Sequence, residues 1–256
     1  MKDRWTFDNL VSIMERLRGA GGCPWDKEQT RESLKPFLVE ETYEVIEAID
    51  EGNPEKIKEE LGDLLIQILF HAQIAKEREE FDINDVIERI ADKLIKRHPH
   101  VFGDKDLKTP KAVLENWEEL KKAEGKRKSV LDGVPKELPA LLRAHRLQDK
   151  ASRIGFDWER VEDVVNKLDE ELDEFRKALQ SNIPGRIEDE LGDVFFVLVN
   201  IARFVGVNPE DALRKTISKF ISRFRYIEMK AADAGLKLSE MSLEEMDKLW
   251  DEAKRQ

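Results

Sequence analysis

Residues 40–65 read EETYEVIEAIDEGNPEKIKEELGDLL, and this stretch decides the fold. Apolar residues recur at helical spacing on both sides of Gly52-Asn53-Pro54, a sequence that ends one helix and begins the next. Because the connection is short, the two helices are expected to pack as antiparallel neighbours. The stretch therefore predicts a helical hairpin, whose second helix runs from about residue 54 to residue 77.

The same pattern occurs again 130 residues later. EETYE at 40–44 matches EELDE at 170–174, and ELGDLL at 60–65 matches ELGDVF at 190–195. In both copies fifteen residues separate E-E-x-x-E from E-L-G-D, and chance is a poor explanation for two copies with equal spacing. We therefore expect a duplicated module, with a second hairpin whose helices cover about 160–180 and 184–206.

Strand-like alternation does not persist anywhere in the chain, so the predicted fold is all-α, with two tandem helical-bundle modules. The boundary is expected within 121–139, which contains a basic run, two glycines and two prolines. This interpretation assigns residues 1–124 to the first module, 125–138 to a linker and 139–256 to the second module.

Composition narrows the functional classes. The net charge of −11 argues against general nucleic-acid binding and against binding to anionic membranes. Apolar runs such as VFFVLV at 194–199 are far shorter than the roughly 20 residues that a membrane helix needs. Cys23 is the only cysteine, so no intramolecular disulfide can form, which favours a reducing cytoplasm.

Acidic residues should converge between the two helices of each hairpin, because residues three or four apart share a helix face. The first hairpin contributes Glu40, Glu41, Glu44, Glu60 and Asp63. The second contributes Glu170, Glu171, Glu174, Glu190 and Asp193. A single acid-rich helix is more often only a solvated surface, but here the acids recur in both modules beside strongly apolar segments.

Carboxylates at the edge of an apolar core require compensation. Two of them roughly 5 Å apart repel by about 3 kcal/mol at an effective dielectric constant near 20, so either protons or cations must accompany them. An all-oxygen set of ligands suits Mg²⁺ or Mn²⁺ rather than zinc. The sequence therefore predicts a divalent-cation site in each module.

Basic and aromatic residues recur near the acids at matching positions. In the second module they are Arg186, Lys219, Arg223, Trp250 and Lys254. In the first module the aligned residues are Lys93, Arg97, Trp117 and Lys121. Each alone is more commonly a surface ion pair or a core residue, but together with a metal they suit a polyphosphate and a stacked base.

The acidic pattern, GCPWDKEQT at 22–30, RHPHVFGD at 97–104 and VLDGVP at 130–135 resemble the MazG family of nucleoside triphosphate pyrophosphohydrolases in its tandem form. The resemblance implies an all-α, homodimeric, Mg²⁺-dependent enzyme. It would hydrolyse nucleoside and deoxynucleoside triphosphates to the monophosphate and pyrophosphate, with broad base tolerance. Two alternatives stay open: a nucleotide-binding regulatory protein without turnover, and a phosphohydrolase that releases orthophosphate or cleaves pyrophosphate.

The resemblance also implies roles for individual residues. The metal ligands would be Glu171, Glu174, Glu190 and Asp193 in the second module, and Glu41, Glu44, Glu60 and Asp63 in the first. The carboxylate that orients water or accepts its proton would be Glu170 or Glu171, or Glu40 or Glu41. The nucleotide would contact Lys167 in addition to the basic and aromatic residues above. The second module, with VNIAR at 199–203 where the first has LFHAQ, is expected to be the better-equipped site.

Overall fold

A computed structural model describes residues 5–110, 112–113, 116–117, 120 and 129–255. Helices and no strands occur among these residues, which confirms the all-α prediction. The chain divides into two compact units between Gly125 and Lys126. The predicted linker over 125–138 and the exact module limits stay predictions.

The first unit contains six helices within its described residues. They are α1 Phe7–Arg18, α2 Pro24–Glu28, α3 Lys35–Glu51, α4 Pro54–Glu77, α5 Ile83–Arg97 and α6 Pro99–Phe102. Helices α3 and α4 form the predicted hairpin, and α1 and α5 both pack against α4. Further helical residues occur at 112–113 and 116–117.

The turn of this hairpin follows from its three residues. Gly52 adopts the left-handed conformation, with φ of 67°, and ends α3. The side chain of Asn53 accepts a hydrogen bond from the amide of Glu55 at 3.1 Å and caps α4, while Pro54 occupies its first turn. The chain therefore reverses direction within a few residues, as predicted.

The second unit repeats the hairpin. Its described helices are α7 Ala140–Ser152, α8 Val161–Ser181, α9 Pro184–Phe204, α10 Pro209–Asp233 and α11 Leu243–Ala253, with a 3₁₀ turn at Leu238–Glu240. Helices α8 and α9 pair with each other, and α7 packs against α9. Asn182, with φ of 52°, takes the place of the turn glycine.

Burial follows the 130-residue offset. Leu34 and Val164 are 1% and 0% exposed, and Ala48 and Ala178 are 2% and 0% exposed. Leu34 directly precedes α3 and Val164 lies in the first turn of α8, while Ala48 and Ala178 lie at equivalent positions of the same two helices. Because equivalent residues face the core in both units, the sequence repeat corresponds to a repeat in three dimensions.

The second helix of each hairpin is less enclosed than its apolar sequence suggested. On α9, Val194 and Val197 are buried, but Leu191, Phe195 and Leu198 are 38%, 51% and 44% exposed. The exposed residues follow helical spacing and form one face. The helices of one chain therefore cover one side of α9 and leave an apolar face uncovered.

No helix in the described part of the chain combines the length and the apolar character that crossing a bilayer requires.

Candidate metal and nucleotide site

The first hairpin brings carboxylates from both helices together. Glu41 on α3 and Glu60 and Asp63 on α4 each offer an oxygen, and these oxygens lie within 4.8 Å of one another. All three residues are half-buried. The antiparallel packing of α3 and α4 thus produces the predicted convergence, and these residues are called the first acid cluster below.

Electrostatic repulsion dominates this cluster. Burial, followed by the charges of Asp63 and Glu44, raises the pKa of Glu41. Burial and then the charge of Glu44 also raise the pKa of Glu60. Within the described residues none of the cluster carboxylates forms an ion pair; Lys56 is paired with Glu51 at 2.7 Å, and its charge opposes the rise in the pKa of Glu60. The first cluster therefore has an excess of negative charge that favours cation binding.

Gln67 is a neighbour of this cluster that the sequence analysis missed. Its Nε2 lies 3.5 Å from Oε1 of Glu41, and the residue is 7% exposed. Its Oε1 is buried and has no hydrogen-bond partner among the described residues. Helical spacing could have revealed it, because Gln67 follows Asp63 by four positions and Glu60 by seven.

The second hairpin forms the equivalent cluster. Oxygens of Glu171, Glu174 and Glu190 lie within 4.8 Å of one another, and Glu171 is 6% exposed. Glu171 and Glu174 come from α8, and Glu190 comes from α9. These residues are called the second acid cluster below.

Cations accompany the second acid cluster. Nζ of Lys167 lies 2.8 Å from Glu171 and 2.9 Å from Glu170, and hydrogen bonds to these carboxylates raise the pKa of the lysine. Nε of Arg186 lies 3.9 Å from Oε1 of Glu190. Lys167 and Arg186 therefore partly neutralise the second acid cluster, whereas in the first the position of Lys167 is occupied by Phe37, and among the described residues only Lys56, at the position of Arg186, acts on Glu60 through its charge.

Some predicted acidic residues lie outside the two clusters. Glu44 acts on Glu60 through its charge and on Glu41 through its charge and a side-chain hydrogen bond, although it is not one of the three close carboxylates. Asp193 is exposed, as are Glu40 and Glu170. The predicted roles of these residues as ligands or as proton acceptors stay predictions.

An arginine stacks on a tryptophan in each module. The guanidinium carbon of Arg97 lies 5.4 Å from the ring centroid of Trp117, and that of Arg223 lies 5.5 Å from the ring centroid of Trp250. Cation–π contacts of this kind fix both groups relative to each other. The predicted nucleotide contacts therefore occur as matched pairs, and a base stacking on either tryptophan would do so beside an arginine.

The other predicted basic residues are more loosely placed. Lys93 and Lys219 are exposed on α5 and α10. Lys254 is exposed and pairs with Asp251 at 2.8 Å. Lys121 lies outside the described residues.

In each module an arginine ties a turn to the second helix of the hairpin. In VNIAR, Nη1 of Arg203 donates to Asp157 at 3.0 Å and its Nε donates to Asn200 at 3.2 Å. Arg203 thereby ties α9 to the turn that precedes α8. In the first module the position of Arg203 is occupied by Gln73, and Arg18 ties the corresponding turn to Glu77 at 2.7 Å.

The chemistry of the donor atoms fits the predicted metal. Both acid clusters offer only carboxylate oxygens, at separations that one ion could bridge. Oxygen donors of this kind are preferred by Mg²⁺ and Mn²⁺. The fit is supported in the first acid cluster by the mutual repulsion of the carboxylates and by the unpaired oxygen of Gln67.

Comparison with known proteins identifies the family. The family model for the MazG nucleotide pyrophosphohydrolase domain matches residues 29–102 and again residues 159–227. The chain is 50% identical over 97% of its length to the nucleoside triphosphate pyrophosphohydrolase/pyrophosphatase MazG of Thermotoga maritima, and covers 95% of that protein.

A further full-length relative agrees with this result. The chain is 44% identical to the nucleoside triphosphate pyrophosphohydrolase of Escherichia coli K12, over 98% of this chain and 97% of that protein. The crystal structure of a mazG-related protein from Thermotoga maritima aligns with 45% of this chain and 98% of that one, at 30% identity and a TM-score of 0.40. From the double match and the full-length similarity, the chain belongs to the MazG family, as its motifs predicted.

Proposed function

We propose that this protein is a Mg²⁺-dependent nucleoside triphosphate pyrophosphohydrolase that converts nucleoside and deoxynucleoside triphosphates to the monophosphate and pyrophosphate. The observation that carries the proposal is the second acid cluster, where three converging carboxylates lie beside Lys167 and Arg186. The full-length relatives from Thermotoga maritima and Escherichia coli, which are named nucleoside triphosphate pyrophosphohydrolases, support the same reaction.

The residues that would hold Mg²⁺ are Glu171, Glu174 and Glu190, and Asp193, which is exposed, would be a further ligand. Mn²⁺ is expected to substitute, because it accepts the same oxygen ligands. When bound, the metal would polarise phosphate oxygens and lower the pKa of a coordinated water molecule. The equivalent ligands in the first module would be Glu41, Glu60 and Asp63, with Glu44 nearby.

Other side chains of the second module would carry out the remaining steps. Glu170 lies outside the cluster and is exposed, and its carboxylate would orient the attacking water and accept its proton once Lys167, which lies 2.9 Å from it, turns to the phosphates. Hydrolysis places the hydroxyl of that water on one phosphorus and gives the departing phosphate oxygen a proton. Lys167 and Arg186 would neutralise negative charge on the phosphates as the bond breaks.

Broad base tolerance is part of the proposal. Trp250 is half-buried beside Arg223, and a planar aromatic ring can stack on any base without reading its hydrogen-bonding edge. The aligned pair Arg97 and Trp117 offers the same surface in the first module. Measured rates for purine and pyrimidine triphosphates should therefore differ little if stacking dominates recognition.

We also propose that the protein is a homodimer in the cytoplasm. The apolar face of α9 is exposed in the chain, and α10 exposes a second apolar row at Leu213, Ile217 and Phe220. Faces of this kind are normally covered by a partner, and a second copy of the chain offers the same apolar surface. Sedimentation at micromolar concentration would contradict this proposal if it showed only monomers.

Hydrolysis assays with product analysis test the proposed reaction. Purified protein should release pyrophosphate from a panel of triphosphates in Mg²⁺, lose activity in EDTA and recover when Mg²⁺ is restored. Phosphorus NMR separates the alternatives: orthophosphate as the first product would indicate a different phosphohydrolase, and binding without products would indicate a regulatory protein.

Variants test the proposed site. Glu174→Gln should lower second-module turnover about 100-fold or more, since it removes a charge that holds the metal. The matched control is Asp173→Asn, which changes an exposed neighbouring acid that pairs with Arg176. Hydrolysis that survives Glu174→Gln combined with Glu44→Gln would contradict the assignment of both sites.

A further inference from the structure

We infer that the two acid clusters differ in how they take up metal. In the first acid cluster, Gln67 serves as an additional neutral oxygen ligand, and the site binds a divalent cation without nucleotide. In the second acid cluster, Lys167 stays paired with Glu171 until a metal and a triphosphate bind together. This inference rests on the cation chemistry of the proposed function and adds a difference between the modules.

The amide of Gln67 is the observation that points to a ligand. The residue is 7% exposed, and its Oε1 is buried without a hydrogen-bond partner among the described residues. Its amide already contacts Glu41, with Nε2 3.5 Å from Oε1. Rotation of the amide by 180° exchanges its nitrogen and oxygen and turns the unpaired oxygen towards the cluster. A cation held by Glu41, Glu60 and Asp63 would satisfy that oxygen.

The second module cannot use the same device. Val197 occupies the position equivalent to Gln67, 130 residues later, and its side chain has no ligand atom. Instead, Nζ of Lys167 lies 2.8 Å from Glu171. The position equivalent to Lys167 in the first module is Phe37, whose ring packs against Trp25 at a centroid distance of 6.0 Å. The polar partner of Glu41 therefore comes from α4, the second helix of its hairpin, whereas the partner of Glu171 comes from α8, the first helix of its hairpin.

Charge decides which cluster attracts a free cation more strongly. The carboxylates of the first acid cluster form no ion pair within the described part of the chain. In the second acid cluster, Lys167 and Arg186 lie within 4.0 Å of Glu171 and Glu190 and offset part of the negative charge. A metal entering the second cluster must displace an ammonium group, and a triphosphate gives that ammonium a new partner. Metal and nucleotide are therefore expected to bind to the second cluster together.

A titration of the full chain with Mn²⁺ in the absence of nucleotide, monitored by electron paramagnetic resonance, tests this inference. The wild-type protein should show one tight class of site, with one ion per chain. Gln67→Val, which installs the residue found at position 197, should weaken that class about 10- to 100-fold. Lys167→Met should create a second tight class without nucleotide, because it removes the competing ammonium group.

Gln67→Glu keeps an oxygen ligand and serves as the control for folding and packing, and it should retain tight binding. Two equal classes in the wild-type protein would overturn the inference, as would Gln67→Val with unchanged Mn²⁺ affinity in a folded protein. Absence of Mn²⁺ binding without nucleotide would also overturn it. These results are independent of the hydrolysis assay. Pyrophosphate release without the expected Mn²⁺ binding would contradict only the inference, and the expected Mn²⁺ binding without pyrophosphate release would contradict only the proposed function.

Discussion

Arg18 anchors the turn around α2 in the first module, and its replacement gives a quantitative test of that contact. Its Nε and Nη2 donate to the two carboxylate oxygens of Glu77 at 2.8 and 2.7 Å. Its Nη1 donates to the main-chain oxygens of Asp26 and Gln29, and the side chain is 5% exposed. Arg18 therefore ties the end of α1 and the turn around α2 to the end of α4. The same turn carries Trp25, which packs against α3, the helix of Glu41.

The size of the effect follows from burial. Arg18→Met keeps the apolar stem but removes every donor. Breaking a buried ion pair costs roughly 3–5 kcal/mol, but Glu77 is 37% exposed, so water recovers part of this loss. The main-chain oxygens of Asp26 and Gln29 lose a donor as well. We expect a net loss of about 3 kcal/mol in the free energy of unfolding, which lowers Tm by about 10 °C for a unit of this size.

Thermal and urea unfolding of the wild-type and Arg18→Met proteins measure this loss, and its pH dependence provides a second check. Hydrogen bonding to Arg18 holds the pKa of Glu77 below its ordinary value of 4.5. This stabilisation is complete above the unfolded pKa and is lost as the pH falls through the folded pKa. The difference between the two proteins should therefore shrink below pH 4.5.

Arg18→Lys is the matched control, because it keeps the charge but cannot supply the two-pronged contact with Glu77. It should recover less than half of the lost stability. A loss of under about 1 kcal/mol for Arg18→Met, the level of an ordinary surface pair, would refute the reasoning. So would a loss that stayed constant as Glu77 became protonated.

Two further predictions concern the acid clusters and the second turn. Glu60→Gln should raise Tm in EDTA by relieving repulsion from Glu44 and should reduce the rise in Tm caused by Mg²⁺. Glu88→Gln, which changes an exposed acid of α5, should change neither, and equal effects in both variants would contradict the role of the cluster. Arg203→Gln installs the residue found at the equivalent position of the first module. It should lower the free energy of unfolding in urea by about 1.5–3 kcal/mol, because Asp157 and Asn200 lose a charged donor. An unchanged unfolding midpoint would contradict that account.

The sequence was sufficient to predict the hairpins and the convergence of their acids. The end of α3 at Gly52 and the start of α4 at Pro54 follow from local backbone preferences, which do not depend on distant contacts. Spacing of three or four residues then places Glu41 and Glu44 on one face of α3. The recurrence of arginine and tryptophan in both modules also indicated positions that the structure brings into contact at Arg97–Trp117 and Arg223–Trp250.

Spacing alone could not select the residues of each cluster. It assigns a helix face, but the separation of two side chains across a hairpin depends on the crossing geometry and rotamers of the packed helices. For this reason Glu44 and Asp193 lie outside the close clusters although their spacing is equivalent to that of Asp63 and Glu174. The apolar sequence of α9 left two interpretations open, the centre of a bundle or a subunit interface, because periodicity cannot distinguish burial within one chain from burial against a partner.

The paired substitutions between the modules explain how the same hairpin can serve two purposes. The inner glutamate of each hairpin is half-buried at Glu41 and buried at Glu171, and each has a polar partner. A neutral amide from α4 satisfies Glu41 but leaves the charge of its cluster intact, whereas an ammonium from α8 satisfies Glu171 and reduces that charge. The hairpin fold is the same in both modules, so the electrostatics of the two clusters differ without a change in the fold. By the inference above, the site that holds its own lysine among the acids would exchange that lysine for a metal and a phosphate, while the site without one would retain its cation.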